Sequence, residues 1–282
     1  FASRYRSDWN FQVGIDANYE IGTGARILDE ASDTRGESSI YDYAVFGSLR
    51  YQPNQKWILE TGLRYAENSK YDAPLIPSFH AKYQLNDNIL WRASYGKGFR
   101  SPSLKELYLS FIDINHFIIG NPDLRAETSN NFQTNLSYDK SVGQHRIFAN
   151  VKLFYNQIKD QIQLFPFLDQ SGEITPTSDN QSNRFAYFNL EEAKTQGINF
   201  NVGYHWKNLS LEGGYSRIGF FNPLSESVAT IDAFTYSNEI NGKLGYELPF
   251  SGTQLNVFVR RNDQFINFFP TQENGEPIAQ QR

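Results

Sequence analysis

Between residues 99 and 125 the chain gathers the side chains best suited to chemistry. Arg100 offers a planar fork of donors that matches a carboxylate, and Lys105 and Arg125 add two further cations. Tyr108 and His116 supply a phenol and an imidazole, both able to ligate iron, and Phe111 and Phe117 place apolar rings beside them. The other histidines, His80, His145 and His205, are dispersed without a spacing that suits zinc. Gly-x-Ser-x-Gly, His-Glu-x-x-His and Walker patterns are absent, and Gly22-Thr23-Gly24 lacks the third glycine and helix of a dinucleotide site. The residues therefore suggest binding rather than catalysis.

Composition narrows the setting in which such residues could act. The 282 residues hold no cysteine and no methionine, which removes disulfide scaffolds, thiolate metal sites and an initiator residue, and suggests a processed product or an internal piece. A net charge of −5, without any basic run, argues against a nucleic-acid partner. No apolar run approaches the length of a membrane-spanning helix, but a spanning strand needs only about 9 to 11 alternating residues. Barrels stay open.

The elements that must position these residues read as strands. Trp9, Phe11, Val13, Ile15, Ala17 and Tyr19 alternate with Asn10, Gln12, Gly14, Asp16, Asn18 and Glu20, a period of two that gives one dry and one wet face. Residues 41–52 and 57–66 repeat the pattern, and further strands are expected at 78–85, 89–99, 129–138, 146–155, 196–204, 209–216, 239–246 and 254–260. This is an all-β chain with about eleven strands, and only Pro102 to Leu109 could form a helical turn. Short turns alternate with long polar connections (21–38, 67–77, 100–128, 156–184, 217–238), the layout of an antiparallel transmembrane β-barrel. Tyrosine and tryptophan near strand ends fit interfacial girdles. On the wet faces Asp16, Glu20, Asp42, Glu60, Arg50, Arg64, Arg92 and Lys152 read as a solvated, mutually paired wall, not an acid–base couple. A passive porin or a secreted β-sandwich would show much of the same alternation.

Two boxes carry a more specific signal. Tyr95-Gly96-Lys97-Gly98-Phe99-Arg100-Ser101-Pro102-Ser103-Leu104-Lys105-Glu106-Leu107-Tyr108, followed by Gly120-Asn121-Pro122-Asp123-Leu124-Arg125-Ala126-Glu127-Thr128-Ser129, resembles the paired barrel motifs of TonB-dependent outer-membrane receptors. Asn189 through Thr195-Gln196-Gly197-Ile198 and the Gly62-Leu63-Arg64-Tyr65 stretch add weaker similarity. The resemblance implies a barrel of about 22 strands in a Gram-negative outer membrane, enclosing a plug and importing a scarce iron complex (ferric siderophore or haem) or cobalamin with energy delivered through TonB. On that reading residues 1–282 are part of the barrel domain, without plug, TonB box or closing strands. No resident cofactor or metal is expected; the ligand is cargo. Gly98, Phe99, Pro102, Asn121, Pro122 and Leu124 would brace the rim, with Gly96 and Gly98 sparing room where backbones approach. His116 lies where haem-uptake members carry an axial histidine, with Tyr108 as a second possible ligand; the alternative is a hydrogen-bonding surface histidine. Lys105, Arg100, Arg125, Phe111, Phe117, Phe165 and Phe167 would touch a bulky, anionic chelate.

Overall fold

The structure, a computed structural model, describes residues 2–6, 8–28, 35–113, 117–166, 184–221, 234–263, 270–273 and 276–279. Its main element is a single antiparallel sheet built from β1 (Ala2–Arg6), β2 (Trp9–Leu28), β3 (Arg35–Tyr51), β4 (Trp57–Asn68), β5 (Ile76–Asn86) and β6 (Ile89–Arg100). After a connection containing α1 (Leu104–Tyr108), β7 (Ser110–Ile112) and β8 (Phe117–Ile119), the sheet resumes with β9 (Glu127–Val142), β10 (His145–Pro166), β11 (Arg184–Trp206), β12 (Leu209–Phe221), β13 (Thr235–Glu247) and β14 (Gln254–Asn262). A separate hairpin pairs β15 (Pro270–Glu273) with β16 (Glu276–Ala279). Along the wall each strand pairs with the next wall strand in the chain, and β8 of the connection pairs in parallel with β11. All eleven expected strands are present, and β1 adds another wall strand that the sequence reading lacks.

The turns joining strand pairs at one end are short for visible reasons. Asn54 Oδ1 accepts from the amides of Lys56 and Trp57 (2.9 and 3.0 Å), and Asn86 Oδ1 does the same for Asn88 and Ile89 (2.9 and 3.0 Å). These side chains replace the backbone acceptors that a reversing chain loses. At the other end β2, β3, β10 and β11 run well beyond the expected limits, so parts of the expected long connections are strand.

Register puts one kind of residue on each face. Tyr51, Leu59, Ala81, Ala93, Thr134, Leu153 and Ile198 follow one another across the sheet on the apolar face. That face lies bare: Ile15 is 86% exposed and Val259 66%. A water-soluble sheet would cover so continuous an apolar surface, whereas a barrel turns it to lipid. Aromatic pairs edge the face at the short-turn end, with Trp9 stacked on Tyr51 at 4.1 Å and Trp57 on Tyr83 at 4.2 Å between ring centroids.

The sheet is curled, and the connection between β6 and β9 shows by how much. Along the wall β2 and β11 stand seven ladder steps apart, about 34 Å at roughly 4.8 Å per step. Through the connection they are joined by Ile27 paired to Leu109, its neighbour Ser110 paired to Ile119, and Ile119 paired to Ala186. That path is about 20 Å at similar spacings. The chord is shorter than the arc, so the wall bends and the connection crosses its mouth as a strap.

Candidate functional site

The strap holds most of the residues singled out from sequence. Its core is apolar: Leu104 and Leu107 of α1 are 1% exposed, and they pack with Ile40 of β3, Tyr108, Leu124 and Ile162 of β10. Ile27, Tyr71 and Tyr187 close the cluster's edge. This buried apolar core sits at the outer end of the strands rather than inside the wall, so the strap is a small packed cap fixed to several distant strands.

Polar contacts fix its geometry. Ser103 caps α1, its hydroxyl accepting from the Glu106 amide, while the Glu106 carboxylate accepts from the Ser103 amide at 2.8 Å. Arg100, at the end of β6, donates to both oxygens of Glu127 (2.9 and 2.7 Å) and from Nη1 to Glu106 (3.0 and 2.9 Å). One guanidinium therefore latches β6, β9 and α1 together, in the bidentate geometry that arginine suits best. Glu127 also accepts from the Ile162 amide at 2.7 Å, extending the latch to β10.

The second box grips β11. Asn121 Nδ2 donates to the Tyr187 carbonyl at 2.9 Å, and the Asn121 amide donates to the Glu106 carbonyl at 2.8 Å. The Arg125 amide donates to Asn189 Oδ1 at 2.8 Å, and Asn189 Nδ2 returns hydrogen bonds to the carbonyls of Arg125 (2.9 Å) and Asp160 (2.7 Å). A side-chain amide thus acts as a spare peptide group where the β10–β11 ladder is interrupted. Asp160 has φ of 55°, a left-handed conformation uncommon outside glycine, and its carboxylate accepts from Arg125 Nε at 2.7 Å.

Each expected site residue now has a place. Pro102 is fully buried, Leu124 is 3% exposed, Phe99 is half-buried and Pro122 is exposed in the turn that Asn121 Oδ1 closes by accepting from the Asp123 amide. A Cβ on Gly98 would meet the Ser129 hydroxyl, a side-chain atom that can turn aside, whereas Gly96 faces open space. Arg100 is turned to two carboxylates. Tyr108 is buried, its hydroxyl accepting from Lys70 Nζ at 3.0 Å. Lys105 and Arg125 are exposed, and the Arg26 guanidinium lies 4.3 Å over the Phe111 ring. Phe117 and Phe165 contribute backbone to β8 and β10. His116 and Phe167 lie outside the described residues. Glu106, Glu127, Asp160 and Lys70 complete the site and were not singled out from sequence. The Ser103-x-x-Glu106 spacing is a capping-box signature that would have found the first of them.

Burial works to raise the Glu106 carboxyl, but hydrogen bonds from Arg100 and Ser103 prevail and hold it below its usual 4.5. Since the folded value is the lower one, the latch contributes fully above 4.5 and loses that contribution as pH falls through the lowered value. In the purified receptor, a Leu107 methyl resonance followed by NMR should titrate with its midpoint below 4.5, and Arg100→Gln should move the midpoint up. A wild-type midpoint at or above 4.5 would sink the latch.

Comparison with known proteins agrees with this geometry. The family model described as TonB dependent receptor-like, beta-barrel, matches residues 1–274. The chain belongs to the TonB-dependent receptor family, as part of its β-barrel. Among its relatives, the Heme/hemopexin utilization protein C of Haemophilus influenzae (strain 86-028NP) is 27% identical over 203 residues, covering 65% of this chain and 27% of that protein. The Vitamin B12 transporter BtuB of Photobacterium profundum is 24% identical, over 70% of this chain and 30% of that one. The solved siderophore receptor PirA of Pseudomonas aeruginosa shares the fold, with a TM-score of 0.64 and 18% identity over 92% of this chain and 44% of PirA. The chain thus spans less than a third of these two curated relatives and less than half of the solved structure. The family consists of transport receptors in the outer membranes of Gram-negative bacteria, not enzymes. That assignment, with one continuous curled sheet, sets aside the passive porin and the β-sandwich.

Proposed function

We propose that this chain forms part of the wall and the mouth of an outer-membrane receptor that captures a scarce iron complex, a ferric siderophore or haem, for uptake driven through TonB. The observation that carries this reading is the strap: a packed cap across the mouth on which Lys105 and Arg125 are exposed and Phe111 is half-buried. Those groups offer charge and apolar area to a bulky anionic chelate. Phe117 and His116 follow Phe111 in the sequence of the same connection, and Arg100 and Tyr108 hold the cap in shape. The wall contacts outer-membrane lipid through its apolar face.

Within this reading haem is the sharpest cargo to test, because an imidazole at His116 is a fitting axial ligand. Haem titrated into the full-length receptor should shift the Soret band, and His116→Ala should abolish the shift while leaving the receptor folded. A wild-type receptor with no shift excludes haem and leaves the siderophore and cobalamin. Cobalamin is the alternative supported by the similarity to a B12 transporter.

A further inference from the structure

The apolar face is not smooth. On the side turned away from the lumen, a concavity of about 660 Å³ spans β2 to β9. Thr61, Ala81 and Ala93 form its floor, and the two alanines face each other across β5 and β6. Toward the outer end it is walled by Phe79, Tyr95 and Phe132, whose successive ring centroids lie 6.2 and 4.7 Å apart. Toward the short turns the next pair on the same two strands is Tyr83 with Trp91. The stacked rings of Trp9 and Tyr51 close the concavity at its β2–β3 end.

The polar tips of these rings are spent on the protein itself. The Tyr95 hydroxyl donates to Asn130 Oδ1 at 2.9 Å, and Trp91 Nε1 donates to the Thr134 hydroxyl at 2.9 Å. Water inside would need two or more polar partners, which these tips no longer offer. Size and apolar lining are those of a small-molecule site. Its depth follows from register. Ala93 lies four residues beyond Ile89, the first of β6, which is about 13 Å along the strand and about 10 Å in depth at the tilt of such walls. Since the apolar band is about 25 Å tall, the concavity lies in the half nearer the short turns, the periplasmic side of such barrels.

We propose that this concavity is a phospholipid site, where one acyl chain from the periplasmic leaflet lodges against Ala81 and Ala93 in a fixed place. The assignment rests on the reading that the apolar face meets the bilayer, and the concavity is continuous with that face, so lipid is the medium that reaches it. Inside a bilayer no hydrophobic force drives a chain onto a wall, because its neighbours are equally apolar. Contact decides instead: a gap beside the wall forfeits dispersion on both sides, and a flexible chain fills it while the ring walls are already in place. Lys56 is exposed in the turn beside Trp57, whose stack on Tyr83 marks the headgroup level, and it offers a cation to the lipid phosphate there. The site does not depend on the cargo or on what the barrel encloses.

The test uses the full-length receptor in vesicles of phosphatidylethanolamine and phosphatidylglycerol, with a trace of phosphatidylethanolamine that carries a photoactivatable diazirine in one acyl chain. Labelled peptides are mapped by mass spectrometry. Labelling of β5 and β6 around Ala81 and Ala93 is expected to exceed that of β2 around Val13 about tenfold. Val13 lies four residues into its strand, at matching depth, and is 46% exposed. Ala93→Phe sets a ring over the floor and should bring β5 and β6 down to the Val13 level, whereas Val13→Phe should leave the enrichment unchanged. Ala81→Leu repeats the loss with a smaller side chain, should Ala93→Phe not assemble. Even labelling over the whole apolar face means annular lipid only and overturns the site. A labelled face with an unlabelled concavity means that a protein surface covers it, and the lipid assignment fails. No label anywhere on the face refutes the bilayer reading itself and takes the site down with it.

Discussion

Truncating Leu107 to alanine is expected to unfold the cap while the wall stays intact. Leu107 is 1% exposed and sits among Ile40, Leu104, Tyr108, Leu124 and Ile162. Removing a buried leucine side chain costs about 2 to 5 kcal/mol, the larger part where neighbours cannot collapse into the space. Here they cannot: Ile40 and Ile162 belong to wall strands whose ladders fix them. A helix of five residues has no stability of its own, so the cap depends on this packing. At the lower end of that range, exchange of the Leu109 and Gly120 amides should accelerate about 30-fold, while amides of β4 to β6 keep their protection. Acceleration spread evenly over the sheet would show that cap and wall open as one unit and would overturn the separation. Cargo affinity should fall with the same variant, because the surface carrying Lys105 and Phe111 is no longer held.

Gly120→Ala should do comparable damage by the opposite route, adding an atom. A Cβ built there lies 2.6 Å from the carbonyl carbon and oxygen of Leu107 and 2.7 Å from the Tyr108 nitrogen. These are backbone atoms of α1, which cannot turn aside as a side chain could. The Gly120 segment must therefore move off the helix, stretching its hydrogen bond to the Leu109 carbonyl (2.6 Å) and that of Asn121 to the Glu106 carbonyl (2.8 Å). Overpacking of this kind costs about 1 to 3 kcal/mol, and the two lost bonds push the result to the upper end. Gly96→Ala is the internal control, since nothing lies within 4 Å of a Cβ there. Equal melting temperatures and equal cap protection for the two variants would refute the close-approach argument.

The wall is legible in the sequence because bilayer and lumen impose opposite demands on alternate residues. From Trp9 to Tyr19 every second side chain meets lipid, and period two shows without a fault. Beyond the apolar band both faces meet water, the demand disappears, and strands become invisible: residues 156–166 of β10 and 184–195 of β11 look like polar loop. β1 is missed for a related reason, its five residues carrying two arginines and no sustained alternation. The two boxes mark the rim correctly, and the capping residues of α1 are readable from spacing. The latch is not. Arg100, Glu106 and Glu127 meet only because β6 and β9 are wall neighbours with α1 folded between them, and nothing local in the sequence relates positions 27 apart. Arg50, Lys82, Arg92 and Lys152 are legible as residue types but not as neighbours, since their meeting on one face depends on the register of six strands.

The hold of Asn121 and Asn189 on β11 has one more consequence, which concerns assembly. Sliding β11 by a single residue against β10 would send every side chain to the opposite face, and a long polar strand end offers little to forbid the error. Asn189 forbids it, because its amide satisfies the Arg125 backbone and the Asp160 carbonyl only from one face. Asn121, bonded to Tyr187 two residues away, checks the count a second time. The cap works in this respect as a vernier, reading the alignment of strands that the water above the membrane would otherwise leave unspecified.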